Sequence, residues 1–157
     1  DGNIWNVIPN SLLNGTGCPK HHDSRLQKKV DRFLKENNIQ FNREFNCSLI
    51  PKNPKTQKVM PFDIEIVDNK ILLEIDGEQH DRICGLTYHT AKRNKTTPEE
   101  EYHKRKLYDR YKQYVAYRNG YKVIRISWAL DDKEQSYKDY LKSQLISYGV
   151  EFNNKDA

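Results

Sequence analysis

Between Pro61 and Asp81 the chain sets carboxylates and an imidazole into a stretch that otherwise reads as an apolar hairpin. Asp63 and Glu65 are two residues apart, as are Glu74 and Asp76, so each pair shares one face of its strand. Carboxylates gathered on an apolar hairpin cost stability unless a cation or a hydrogen-bond network stands between them. A divalent metal would fill that role: Mg2+ or Mn2+ takes hard oxygen ligands, and Asp63, Glu74 and Asp76 are the candidates. Gly77 lets the chain leave the second strand sharply and brings Gln79, His80 and Asp81 back toward its end. An imidazole at that point is suited to pass a proton near neutral pH. Taken singly, each acid reads as part of a solvated sheet face; Leu72, Leu73 and Ile75 argue that the second strand is buried.

These side chains need a scaffold, and the hydrophobic pattern supplies one. Residues 62–67 and 71–75 are predicted strands joined by an Asp68-Asn69 turn. Ser24 is a good N-cap for a helix with Leu26, Val30, Phe33 and Leu34 on one face and Asn37-Asn38 at its end. Residues 39–49 read as a strand, with Phe41 and Phe45 apolar, followed by a loop in which Lys52, Lys55 and Lys58 could touch phosphates or merely solvate it. Residues 82–98 form a long polar stretch with Lys92, Arg93 and Lys95, expected to be a functional or mobile loop. A helix over 99–118 opens at Thr97-Pro98 and closes at Asn119-Gly120. Leu107, Tyr111, Tyr114, Val115 and Arg118 form its expected core stripe, with Lys104, Arg105, Lys106 and Arg110 elsewhere on the cylinder. A strand over 121–127 and a helix over 133–148 complete an α/β order, a mixed central sheet flanked by helices.

The 157 residues are enough for one domain, here 24–157, preceded by an N-terminal extension over 1–23. Lys and Arg number 27 against 22 acids, and the resulting charge of +5 suggests a polyanion partner. No apolar run approaches membrane-spanning length and no signal-peptide pattern is present, so a soluble intracellular protein with no membrane partner is expected. Cys18, Cys47 and Cys84 form no even framework, which fits a reducing compartment. Cys18 and His21 have the spacing of half a zinc knuckle, with no second pair near them to complete four ligands. Starting at Asp1 without a Met, the chain reads as a piece cut from a longer one or as carrying a tag scar.

Asp63 followed by Glu74-Ile75-Asp76 on consecutive strands, after a helix, resembles the core of the PD-(D/E)xK nucleases, which have a restriction-endonuclease-like fold. From about Ser24 to Leu130 the chain is more particularly similar to the very-short-patch repair endonucleases. Pro61-Phe62-Asp63 stands where that family has Pro-Asp-Phe, shifted by one residue. Gly120-Tyr121-Lys122-Val123, running on to Trp128-Ala129-Leu130, is similar to its Gly-Trp-Arg-Val string ending in Trp and Ala-Leu. Aligned on Gly120, the family's functional helix Asp falls on Asp109. The likeness extends to phage homing endonucleases with an EDxHD pattern, in which Asp63, His80 and Asp109 would be the D, H and D.

The resemblance implies a Mg2+-dependent (or Mn2+-dependent) endodeoxyribonuclease acting on double-stranded DNA in a bacterial cytoplasm or a phage's host cell. A further DNA-binding domain in the full-length chain is implied as well. Asp63, with Glu74 or Asp76, would hold the metal, His80 would move a proton and Asp109 would orient it. Lys52, Lys55, Lys58, Lys92, Arg93, Lys95, Lys104 and Arg105 would hold the DNA backbone. Two departures stand out. The family's first acid aligns with Gln27, which is isosteric with Glu but cannot ionise, and the usual Lys of the string is replaced by Asp76. Gln27 reads either as a Glu changed to silence cleavage or as a natural loss of the acid. Mismatch-directed nicking and a DNA-binding module without activity are the rival functions; the half-zinc texture leans toward the homing type.

Overall fold

The computed structural model describes residues 24–130 and 134–152; Cys18, His21 and the rest of the extension lie outside them. Helix α1 spans Arg25–Glu36, capped by Ser24 Oγ, which accepts from the Gln27 N–H at 3.1 Å. Leu26, Val30, Phe33 and Leu34 are all buried, as their spacing predicts. The sheet has four strands in the order β1 (Asn42–Arg43), β2 (Ile64–Ile66), β3 (Ile71–Asp76), β4 (Lys122–Ser127). β1–β2 and β2–β3 pair antiparallel and β3–β4 parallel, so the sheet is mixed. The hairpin forms around Asp68-Asn69, with Lys70 at φ 51° closing the turn.

The parallel pair requires a crossover, and it consists of three helices: α2 (Glu78–Asp81), α3 (Gly85–Asn94) and α4 (Pro98–Arg118). A last helix, α5, spans Glu134–Ser147. Side chains alternate along β3 and β4. Ile71, Leu73, Ile124 and Ile126 meet α1 and Tyr137, Leu141 and Leu145 of α5 in the main core, whereas Leu72 and Val123 face the other way, against Ala116 of α4. The second face therefore also carries Glu74 and Asp76 of β3 and Arg125 of β4, and α4 covers it.

Three expectations are corrected. The strand over 39–49 shrinks to Asn42–Arg43, because Glu44 adopts φ 44° and turns the chain into a 3-10 turn over Glu44–Asn46, leaving Phe45 exposed. Within the polar stretch 82–98 lies the helix α3, whose buried residues are only the small Thr87 and Ala91, four apart, so no apolar stripe announces it. On α4 the expected core stripe does not form the buried face: Leu107 is 62% and Tyr114 59% exposed and Tyr111 and Val115 are only half-buried, while Glu101, Asp109, Lys112 and Ala116 are buried.

The start of α4 is a capping box. Thr97 Oγ1 accepts from the Glu100 N–H at 3.2 Å, and Glu100 Oε2 accepts from the Thr97 N–H at 2.9 Å. Thr97→Ala is expected to cost about 1 kcal/mol, visible as a lower urea midpoint at unchanged m-value. No helix among the described residues is long and apolar enough to cross a membrane.

Candidate active site

The face of the sheet beneath α4 holds two ion-pair clusters. In the first, Lys112 of α4 reaches down to Glu74 Oε1 at 2.5 Å and donates to the Pro61 carbonyl at 2.9 Å, with its ammonium 4.5 Å from the centre of the Phe62 ring. Asp63 sits at the entry to β2, where its Oδ2 accepts from the Ile75 N–H at 2.6 Å across the hairpin. Burial pushes the Glu74 carboxyl up to about 7, against the pull of Lys112, and the Asp63 charge adds to the rise. Burial likewise raises Asp63, despite the Ile75 N–H and Lys112.

The second cluster is built on Asp76. Arg125, on the adjoining parallel strand, donates through Nε to Asp76 Oδ2 at 2.6 Å and through a terminal nitrogen to Oδ1, a bidentate pair. The same guanidinium lies 3.3 Å from Asp109 Oδ2. His80, presented by the short α2 immediately after Gly77, sets Nδ1 2.9 Å from Asp109 Oδ2 and 3.6 Å from Asp76 Oδ1. Facing carboxylates, Nδ1 carries the proton, which leaves Nε2 as the acceptor of the neutral ring. Burial alone would raise Asp109, but the His80 hydrogen bond and the charges of His80, Arg125 and Lys112 outweigh it and hold the carboxyl below its usual range. Asp76, His80, Asp109 and Arg125 line a cleft of about 320 Å³, with Lys106, Arg110 and Gln113 of α4 along its wall.

Of the predicted residues, the structure thus brings Asp76, His80 and Asp109 together, and places Asp63 and Glu74 in the neighbouring cluster. Gln27, on α1, lines an adjoining cleft with Ile75, Asp76, Gly77 and Gln79; it is 8% exposed and its Nε2 has no partner. Lys52, Lys55, Lys58, Lys92, Arg93, Lys95 and Lys104 are exposed. Arg105 is instead tied down, donating to the Gln79 carbonyl at 2.9 Å, and so anchors α2 to α4. Glu65, on the same face as Asp63, is wholly buried and structural: its carboxylate accepts from the Ser48 N–H at 2.6 Å and the Tyr121 hydroxyl at 3.0 Å.

Sequence reasoning missed Lys112 and Arg125, the two cations that compensate the sheet acids. A signal existed for Arg125, a charge at an inward position between Val123 and Ser127 on a strand; for Lys112 the signal was its place three residues after Asp109, on the same helix face.

Mg2+ and Mn2+ are usually held through one or two carboxylates, completed by water and substrate phosphate. Asp63 and Glu74 fit that donor set: both carboxylates are desolvated, and Glu74 Oε2 is buried without a partner. Asp76 does not, since Arg125 takes both its oxygens. Among the described residues no three His, Cys, Asp or Glu gather as a ready-made metal cage. No protein-family model, curated protein or solved structure matches this chain.

Proposed function

We propose that this chain is a divalent-metal-dependent DNA endonuclease of the phage homing type, hydrolysing a phosphodiester of double-stranded DNA at the cleft beside His80. The observation that carries the reading is the pairing of a carboxylate-braced imidazole with a second, under-compensated carboxylate pair on the same sheet face. Asp63 and Glu74 would hold the ion, which supplies Lewis-acid stabilisation of charge on the scissile phosphate. Nε2 of His80 takes the proton of the attacking water or returns one to the departing 3′ oxygen, while Asp109 fixes the ring and stabilises its protonated form. Arg125 keeps Asp76 and Asp109 from repelling one another when His80 is neutral. Lys106 and Arg110, at the cleft wall, are placed to meet backbone phosphates.

Gln27 favours a second reading, a DNA-binding module that has lost its activity. Its buried amide cannot ionise, so it adds no negative charge beside Asp76 and can take no proton. Plasmid nicking with Mg2+ separates the two. Gln27→Glu is expected to raise the nicking rate by about 10²-fold or more, of the order general acid–base groups contribute, with chelation or Asp63→Asn abolishing the gain. No nicking by either form, with DNA affinity intact in Asp63→Ala, would establish the silent module.

A further inference from the structure

The outward flank of α4 combines cations with exposed rings and lacks any opposing charge. From His103 to Arg118 the only acid is Asp109, and it is buried under the helix. Lys106, Arg110, Gln113 and Tyr117 follow one another at spacings of four, three and four residues, so they form a single ridge. The first three line the His80 cleft, and Tyr117 continues the ridge about 6 Å beyond Gln113. Tyr117 is 61% exposed, and Tyr114, three residues before it, is exposed to the same degree. An amphipathic helix in a core would bury these rings; here the inward positions are taken by Asp109 and Lys112, which serve the site.

We propose that this flank is a stacking platform for unpaired bases, so that the strand leaving the cleft carries single-stranded nucleotides beside the bond that is cut. A second copy of the chain packed on this flank does not fit, because self-complementary packing would set Arg110, Arg118 and Lys104 against their own counterparts, and between His103 and Arg118 the helix offers no exposed carboxylate to receive them. A polyanion with planar apolar groups does fit: phosphates answer the cations, and bases stack on tyrosine in a sequence-tolerant way. The binding arm of this inference stands apart from the chemistry; only the placement beside the cut bond rests on the nuclease reading.

The test is fluorescence anisotropy in chelator, with a labelled oligothymidylate and a labelled duplex as probes. Tyr117→Ala and Tyr114→Ala are each expected to weaken oligothymidylate binding about five-fold or more, with duplex affinity little changed and the salt dependence unaltered. Arg110→Ala should instead lower the salt slope, by about 0.7 for one phosphate on a single strand. Both tyrosines are largely exposed, so these substitutions leave the core untouched. Wild-type affinity of the tyrosine variants for oligothymidylate would overturn the platform, as would loss in Tyr117→Ala of a dimer seen by sedimentation. If duplex binds normally and only the tyrosines prove silent, this inference alone falls; if neither probe binds, the nuclease reading falls with it.

Discussion

In the Gln27→Glu chain, His80→Ala is expected to lower the rate of plasmid nicking by roughly 10²–10⁴-fold, the range a positioned general acid or base contributes. The size follows from how firmly the ring is held: Nδ1 is bonded to Asp109 and within reach of Asp76, α2 is anchored to α4 through Arg105, and the Tyr102 hydroxyl donates to the Asp81 carbonyl at 3.0 Å. A ring fixed on one nitrogen offers the other at a defined place, which is what proton transfer requires. Asp109→Asn should also lose activity, since an amide no longer stabilises the imidazolium and can donate to Nδ1, holding the ring in the wrong tautomer. Both variants should keep wild-type affinity for duplex DNA, because neither side chain is among the exposed cations. Nicking by His80→Ala within about three-fold of its parent would remove the imidazole from the chemistry, being far below the expected contribution.

Lys112→Met should lower folding stability by about 3 kcal/mol at pH 8, the cost typical of breaking one side of a buried ion pair. Lys112 is 8% exposed and is the only cation bonded to Glu74 among the described residues, so its removal strands a buried carboxylate. Pairing the change with Glu74→Leu should recover most of the loss, because an apolar pair of similar volume owes nothing to charge. The effect depends on pH, and its sign is fixed by Glu74. Its carboxyl sits at about 7 in the folded protein against an ordinary 4.5, so between those values the folded state binds more protons than the unfolded one. Stability therefore falls as pH rises from 4.5 to about 7, and Asp63, also raised, adds a contribution of the same sign. The Lys112→Met deficit should accordingly shrink toward pH 5, where Glu74 is protonated, and be largest above pH 7. Chemical denaturation across that window measures it; a deficit independent of pH would mean that Lys112 acts through packing on Phe62 rather than through charge.

Much of the scaffold was legible because it follows the periodicities that burial imposes. Leu26, Val30, Phe33 and Leu34 repeat at helical spacing and are buried, and the Ile and Leu runs of the hairpin form strands buried on both faces. The pattern misled where buried ion pairs reversed it. On α4 an outside observer expects Leu107 and Tyr114 inward, yet the inward positions hold Asp109 and Lys112, whose partners lie on β3, β4 and α2 and are invisible to local spacing. Asp109 was singled out only through the resemblance to a nuclease family, since a lone Asp between basic residues reads as a solvated helix position. Asp63, Glu74, Asp76 and His80 could be picked out because they crowd one short hairpin and its exit. Their division into two separately compensated clusters could not, since it depends on which cations α4 and β4 bring across the sheet.

The parallel pairing of β3 with β4 has a consequence for how the protein comes to life on the ribosome. Helix α1 and the hairpin are complete by Asp76, but Lys112 and Arg125 are translated 38 and 49 residues after the acids they bond. Because domains are synthesised from the N-terminus, the nascent hairpin emerges with its acidic groups uncompensated, and β4 is the last strand to join the sheet. Maturation of the cleft is thereby tied to closure of the longest-range pairing in the sheet, so a half-made chain cannot present its imidazole, its carboxylates and both counter-charges at once.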